Sequence, residues 1–428
     1  GGGGGGRGVT GGGGGERGCG GDTRAAGLVA GGVCLTARSF KYHRPRGIVG
    51  AGVEEPSTLV ELMGDDASAN RPVTTVLLKD GLVAKSVNCW PSPSVDIGAV
   101  NQLFARFIPA GFYYKTFKWP NWHVFEPTIR RAAGLAAPPA MPPESGRFES
   151  RFWHCDVLIA GAGPAGLMAA LTAGRAGLRV LLADQDTEAG GSLLSRRAEI
   201  DGQAAANWVA EAIAELATMA NVRHIQNATV WGYREHDLVI INQRQPEREQ
   251  LLGRSWKVRA GKVIIATGAI ERMLVFANND RPGVMLASAV QSYVNRYGVR
   301  PGKRAVIFTN NNSAYAVASD LINAGIDVAA IVDSRRDIPE TAKATVRGIM
   351  SQRLVRILCS ACKSYEPLDV EAWQQLTHPF ALEPPRQMAR PVGCNECRNT
   401  GYSGRQGIYE VLVNSAEVQQ HIKPQLDV

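Results

Sequence analysis

Three stretches of sequence predict an α/β chain: a Rossmann-like dinucleotide-binding domain, with a small α+β domain before it and a small tetracysteine lobe after it. The first, "CDVLIAGAGPAGLMAALTAGRAGLRVLLADQD" (residues 155–186), runs from a short apolar strand into a glycine-rich turn, an Ala/Leu-rich helix and a second strand. The second, "KRAVIFTNNNSAYAVASDLINAGIDVAAIVDSR" (303–335), repeats the strand–turn–helix–strand order. The third is a set of two C-x-x-C pairs, Cys359/Cys362 and Cys394/Cys397, with 31 residues between them.

With 428 residues the chain has room for two to four domains. Its formal net charge is +8, but acids and bases are interleaved, which argues for an ordinary solvated surface and against a nucleic-acid stripe. The other four cysteines, Cys19, Cys34, Cys89 and Cys155, are scattered without regular spacing, as expected of a reducing, cytoplasmic setting. No run of 18 apolar residues occurs, so no membrane span is expected.

The glycine-rich start, residues 1–19, cannot build a core and is expected to be disordered. Residues 20–100 carry short apolar runs punctuated by Gly, Pro and Asn, which suits a small β-rich or α+β domain. Within it Lys41, His43, Arg44 and Arg46 surround Phe40 and Tyr42. Such a cluster can meet phosphate or nucleic acid, but a solvated loop or interdomain contact is the favoured reading. Residues 101–150 are rich in aromatics around "GFYYKTFKWPNWHVFEPTIRRAAGL" (111–135), which fits either an interface-packing linker or ordinary core.

In the glycine turn, Gly161 permits a tight reversal, Gly163 lets a pyrophosphate reach the backbone, and Gly166 lets the helix pack on the strand. Pro164 and Ala165 open that helix, whose N-terminus offers amides and a positive dipole end to phosphate. Asp184 ends the second strand 23 residues after Gly161, placed to accept from a ribose and unfavourable to a 2′-phosphate. Gly190 and Gly191 form a flexible elbow near the ribose end, and "KVIIATGAIER" (262–272) brings Thr267 and Gly268 after another apolar strand. The lesser alternatives are a Rossmann-like unit without its ligand and, for Thr267-Gly268, a plain glycine turn. Residues 309–313 of the second unit have no glycine, so a single nucleotide is expected and Asp333 is read as a surface carboxylate.

The strings "GDTRAAGLVAGGV", "RSFKYHRPRGI", "EEPSTLVEL", "GFYYKTFKWP", "DVLIAGAGPAGL", "ATGAIER", "NNDRPGVMLASAV" and "VIFTNNNSAYAVASDL" resemble, in order over about residues 20–345, the α subunit of heterotetrameric sarcosine oxidase and its opine- and proline-dehydrogenase relatives. The resemblance implies a ferredoxin-like fold for residues 20–100, without the iron–sulfur cluster of some relatives because "GIVGAGVEEPSTLVEL" has no cysteine. It implies NAD at residues 151–346, with FAD as the alternative. It also implies FMN at an interface with a partner subunit, and β, γ and δ partner subunits. The implied reaction oxidises sarcosine or a related secondary amine with O2, giving glycine and H2O2. The family's α subunit continues into a folate-binding domain that this sequence does not match, so the oxidoreductase part reads as truncated.

In the tail, two C-x-x-C turns can present four sulfurs tetrahedrally, the pattern of a structural Zn2+ site, with a redox dithiol as the lesser alternative. "QRLVRILCSACK" and "PVGCNECRNTGYSGRQGIYEVL" resemble the C-terminal zinc region of type II secretion and type IV pilus assembly ATPases over about residues 349–417. No G-x-x-x-x-G-K-[ST] loop occurs, so the resemblance implies an interaction module without ATPase activity. The two resemblances meet near residues 345–350, inside what should be a continuing domain, and the join reads as a fusion of unrelated sequences.

Overall fold

The computed structural model describes residues 9–11, 14–16, 21–64, 67–107, 116–117, 119–132, 147–244, 251–335, 348–377 and 383–413. It divides into two compact units, Gly1–Lys303 with Asp320–Ile326, and Arg304–Ser319 with Asp327–Val428.

The first unit opens with β1 (Val9–Gly11) and β2 (Gly14–Glu16), an antiparallel pair in which Gly11 lies opposite Gly14. The remainder of residues 1–19, over which disorder is expected, lies outside the described residues. Helix α1 (Arg24–Ala30) follows, its first turn capped by the Thr23 hydroxyl, which accepts from Ala26 N at 3.2 Å. Strands β3 (Ala37–Arg38) and β4 (Pro45–Arg46) pair, and β5 (Leu59–Met63), β6 (Ser68–Pro72) and β7 (Val83–Ser86) form an antiparallel sheet in the order β6-β5-β7. Ala25, Ala26, Val60, Leu62, Val73 and Val76 make its core. Of the aromatic stretch, Trp122–Ala132 is a helix, α2, while residues 111–115, 118 and 133–146 lie outside the described residues.

The nucleotide-binding part of this unit is a six-stranded sheet. Strand β8 (Arg147–Ala160) leads through helix α3 (Pro164–Arg175) to β9 (Val180–Ala183). A small ribbon, β10 (Glu199–Ile200) and β11 (Gln203–Ala204), precedes helix α4 (Ala205–Thr218) and β12 (Val222–Ile225). Strands β13 (Ala228–Arg234), β14 (Leu238–Arg244) and β15 (Leu251–Ile265) form a meander, and helix α5 (Ala287–Asn295) closes the unit. The strand order is β12-β9-β8-β15-β14-β13, parallel from β12 to β15 and antiparallel beyond.

Period-two alternation gives β8 two buried faces. Val157 and Ile159 pack under α3 and α4 with Leu167, Leu171, Val209 and Leu216, while Leu158 turns to Val239, Ile241, Trp256 and Val258 of the meander. The strand is longer than the apolar run 156–160. Upstream, exposed Phe148, Ser150 and Phe152 alternate with half-buried Glu149, Arg151 and Trp153, a polar-looking stretch that pairs with β15 from Leu251 onward.

The second unit contains β16 (Arg304–Thr309), β17 (Asp327–Asp333), β18 (Gly348–Leu358) and β21 (Tyr402–Val413) in one sheet, in that order. Helix α6 (Ser313–Asn323) links β16 to β17. The ribbon β19 (Ser364–Pro367) and β20 (Gln387–Arg390), with helix α7 (Val370–Thr377) between them in sequence, lies within the tail. The compact units divide at Arg304, and β18, beyond the sequence join, pairs in parallel with β17 before it. Residues 336–347 lie outside the described residues.

Asp333 is not a surface carboxylate. It is fully buried, accepts from the Tyr315 hydroxyl at 3.0 Å, and pairs with Arg335 at 2.7 Å. The glycine-free turn at 309–313 lets Asn311 cap α6 through Ser313 N at 3.0 Å, and the acid is used inside the fold. Burial pushes the Asp333 carboxyl up, but the Arg335 guanidinium and the Tyr315 hydroxyl hold it below the usual range. Its contribution to stability is therefore present above the unfolded carboxyl's pKa near 4 and lost as pH falls through the lower folded value. Asp333→Ala, which strands a buried hydroxyl and an arginine, is expected to lower unfolding free energy by about 3 kcal/mol in urea titrations at pH 7.

Candidate dinucleotide site and tetracysteine centre

The carboxyl ends of β8, β9 and β15 meet at one place, where an open α/β sheet binds ligands. Gly161 N donates to Ala183 O at 2.8 Å and Ala266 N to Ala160 O at 2.8 Å, so the three strand ends are laced by backbone bonds. Gly161 has φ +103°, and a Cβ there would lie 2.4 Å from Ala266 O. A Cβ on Gly166 would lie 1.8 Å from Gly161 O, so helix and turn touch through bare backbone. Gly163 differs. The nearest atom to a Cβ on it is Gly191 Cα at 3.9 Å, an ordinary contact, so no part of the protein requires glycine there. A bare Cα facing open space at the N-cap of α3 is what the approach of an anionic ligand demands. Pro164 occupies the first helical turn without sacrificing a hydrogen bond, and Ala165 is exposed beside it.

Gly190 and Gly191 are brought onto the same turn. Gly190 N donates to Ala162 O at 2.9 Å, and both residues have positive φ, +125° and +53°, which explains the Gly-Gly pair. Thr267 and Gly268 are exposed at the end of β15, with Thr267 Cα 3.3 Å from a Cβ built on Gly161. The structure therefore gathers all ten sequence-predicted residues: Gly161, Gly163, Pro164, Ala165, Gly166, Asp184, Gly190, Gly191, Thr267 and Gly268.

Asp184 has a second task that the sequence did not disclose. It is buried and accepts from the Ala162 amide through Oδ2, while Oδ1 accepts from Asp186 N at 2.8 Å. It ties the glycine turn to the end of β9, and each oxygen keeps a further lone pair for a ligand hydroxyl. Asp186 was also missed. Burial first, then the Asp184 carboxylate beside it, push its carboxyl up. The repeated acid in "LADQD" was the available signal.

The four tail cysteines converge with all ligand sulfurs within 4.8 Å of one another. Cys359 Sγ lies 3.9 Å from Cys394 Sγ, and Cys362 Sγ 3.8 Å from Cys397 Sγ. These separations are far too long for disulfides at about 2.05 Å. They match the edge of about 3.8 Å expected of a sulfur tetrahedron around a metal bonded at about 2.3 Å. Backbone amides prepare the sulfurs: Gly393 N points at Cys362 Sγ (3.3 Å), Cys394 N and Gly401 N at Cys397 Sγ (3.1 and 3.2 Å). Burial pushes Cys397 up, yet the Cys394 and Gly401 amides bring it down to about 6, which favours a thiolate. The residues present fit a metal with four sulfur ligands, and no coordination position remains for water.

The family model for pyridine nucleotide-disulphide oxidoreductases matches residues 155–361, that for a 2Fe-2S iron-sulfur cluster binding domain matches residues 15–89, and that for type II/IV secretion system proteins matches residues 310–428. Sarcosine oxidase subunit alpha of Rhizobium meliloti (strain 1021) is 49% identical over 325 residues, 74% of this chain and 33% of that protein. Type IV pilus assembly ATPase TfpB of Acinetobacter baylyi is 40% identical over 90 residues, 21% of this chain and 15% of that protein. Among solved structures, L-proline dehydrogenase from P. horikoshii shares the fold, with a TM-score of 0.50 at 18% identity over 76% of this chain and 52% of that one. The chain spans about a third of the length of the curated oxidase relative.

The 2Fe-2S cluster for which one family model is named does not fit the residues present. Plant-type clusters need closely spaced cysteines, C-x4-C-x2-C, and none occurs between Cys34 and Cys89. The cluster-type loop holds Glu54 and Glu55 instead.

Gly166→Ala is expected to break the helix–turn contact and cost more than about 3 kcal/mol, whereas Gly163→Ala leaves thermal unfolding within about 1 kcal/mol of the parent. Calorimetry of the two variants checks the contrast. Over about three quarters of its length this chain is homologous to the sarcosine oxidase alpha subunits, and over its C-terminal part to type II/IV secretion ATPases.

Proposed function

We propose that residues 151–346 bind NAD and that the chain serves as the α-subunit portion of a sarcosine-oxidase-type oxidoreductase acting on CH–NH donors. The observation that carries this reading is Gly163: an opening at a helix N-terminus, lined by the Gly190-Gly191 elbow, that protein packing does not explain. Asp184, anchored by backbone amides, would accept from the adenosine ribose, and the first-turn amides of α3 would meet the pyrophosphate. FAD, the alternative, fits the same cradle.

The proposed overall reaction takes two electrons from a secondary amine. Sarcosine, O2 and H2O give glycine, formaldehyde and H2O2, with FMN held against a partner subunit. β, γ and δ subunits in a cytoplasmic heterotetramer complete the assembly. Homology to an alpha subunit supports this reading, as does a nucleotide-binding oxidoreductase fold. Among the described residues no helix is long and apolar enough to cross a membrane.

For the tail we infer Zn2+ at Cys359, Cys362, Cys394 and Cys397, holding a small lobe that acts as an interaction module. The sulfur spacing favours it. The lobe's role is to bind, because a four-sulfur site leaves no open position for chemistry.

Purified chain is expected to carry or take up one NAD, and Gly163→Ala to weaken that binding at least about tenfold with the fold intact. Isothermal titration of both proteins decides it. A yellow preparation releasing FAD would replace NAD by FAD, and no nucleotide affinity in the folded parent would sink the proposal. Elemental analysis is expected to find one zinc per chain, lost in Cys394→Ser. Metal-free protein that keeps the tail's amide protection would refute the zinc assignment.

A further inference from the structure

The turn that joins β4 to β5, residues 47–58, reads "GIVGAGVEEPST" and is folded around two carboxylates. Glu55 is buried, at 4% exposure. Its Oε2 accepts from Val49 N (2.8 Å) and Gly50 N (2.7 Å), and its Oε1 from Ser57 N (2.8 Å) and Thr58 N (2.9 Å). Glu54 Oε1 accepts from Ala51 N (2.7 Å) and Gly52 N (2.9 Å). Six amides of one short loop therefore converge on two side-chain anions. Converging amides of this kind form the concave nests that receive phosphate or iron–sulfur clusters. The family model matching residues 15–89 is named for such a cluster.

We propose that Glu54 and Glu55 are the resident anions of a nest that has exchanged a metal cluster for carboxylates, so that this domain is a clamp and not an electron carrier. Two observations give the clamp something to hold. Val49 O accepts from Leu286 N at 2.9 Å, and Gly50 O accepts from the buried Tyr293 hydroxyl at 3.0 Å. Both donors belong to α5 or its N-cap, and Leu286, Ala289 and Tyr293 complete the core of the N-terminal domain. The other face of α5 holds the segment after the Gly-Gly elbow: Asn295 Nδ2 donates to Ser195 O at 2.8 Å, and Ser292 Oγ lies 2.9 Å from Ser195 Oγ. With their amides committed inward to Glu55, Val49 and Gly50 turn their carbonyls outward to α5 and its N-cap. Cluster-binding thiolates would have to take the place of these two carboxylates, and the loop offers no thiol.

The test uses the full chain. Because the four tail thiols would themselves take iron, the chain carries Cys359→Ser, Cys362→Ser, Cys394→Ser and Cys397→Ser; after anaerobic incubation with ferrous iron and sulfide, then desalting, it is expected to retain neither iron nor acid-labile sulfide. A retained cluster with visible charge-transfer absorbance would overturn the proposal. Glu55→Gln keeps the shape but turns an NH2 group toward two amides that need an acceptor. Hydrogen exchange of peptides covering 47–58 is expected to speed at least about tenfold in this variant, with peptides covering 155–166 unchanged. Unchanged exchange at 47–58 would refute the clamp. Should Glu55→Gln unfold the chain, Glu54→Gln carries the same test on the amides of Ala51 and Gly52.

Discussion

The nucleotide-binding sheet is built around one contact closer than any side chain allows, the backbone of Gly166 against the carbonyl of Gly161. It sets the distance from β8 to α3. That distance lets Val157, Ile159, Leu167 and Leu171 interdigitate beneath the helix and places the helix N-terminus over the strand ends. Because Ala266 and Ala183 bond to the same turn from either side, the position of the turn fixes the ends of β15 and β9 as well. An extra methyl at that crossing would open the core and the ligand cradle together. Stability and binding geometry are thus one constraint here, and Gly163 is the point at which the two separate.

The N-terminal domain and the nucleotide part share α5. Its Leu286, Ala289 and Tyr293 fill the N-terminal core, while its Ser292 and Asn295 reach the loop after the elbow. A helix with two buried faces transmits position between the parts it joins, since close-packed interiors deform little. The carboxylate-filled turn and the segment after the Gly190-Gly191 elbow, far apart in sequence, both bond to this one helix.

Much of this could be read from residues alone, for a physical reason. Glycine positions with positive φ or sub-van-der-Waals neighbours leave a spacing signature, as do paired thiols, so Gly161, Gly166, Gly190 and the four tail cysteines were legible. What escaped was whatever depends on partners remote in sequence. The upstream half of β8 looks polar because only its pairing with β15 makes it a strand. Asp333 resembled a surface acid because Tyr315 lies a helix away. Asp184 could be placed at the end of its strand but not bonded to Ala162, and Glu55 gave no sign of the four amides it would gather.

The pairing of β18 with both β17 and β21 has a consequence for the junction of the two homologies. β17 is bonded to β16 on one side and to β18 on the other, and β18 comes from the secretion-type sequence. Without it, part of β17 would present a row of unsatisfied donors and acceptors to solvent, the surface on which chains stick to one another. β18 is itself covered over nearly its whole length by β21, which arrives some fifty residues later in the chain. β18 and β21 thus cover the edge of β17, and a chain cut short within that interval would leave part of that edge open to pairing with another chain.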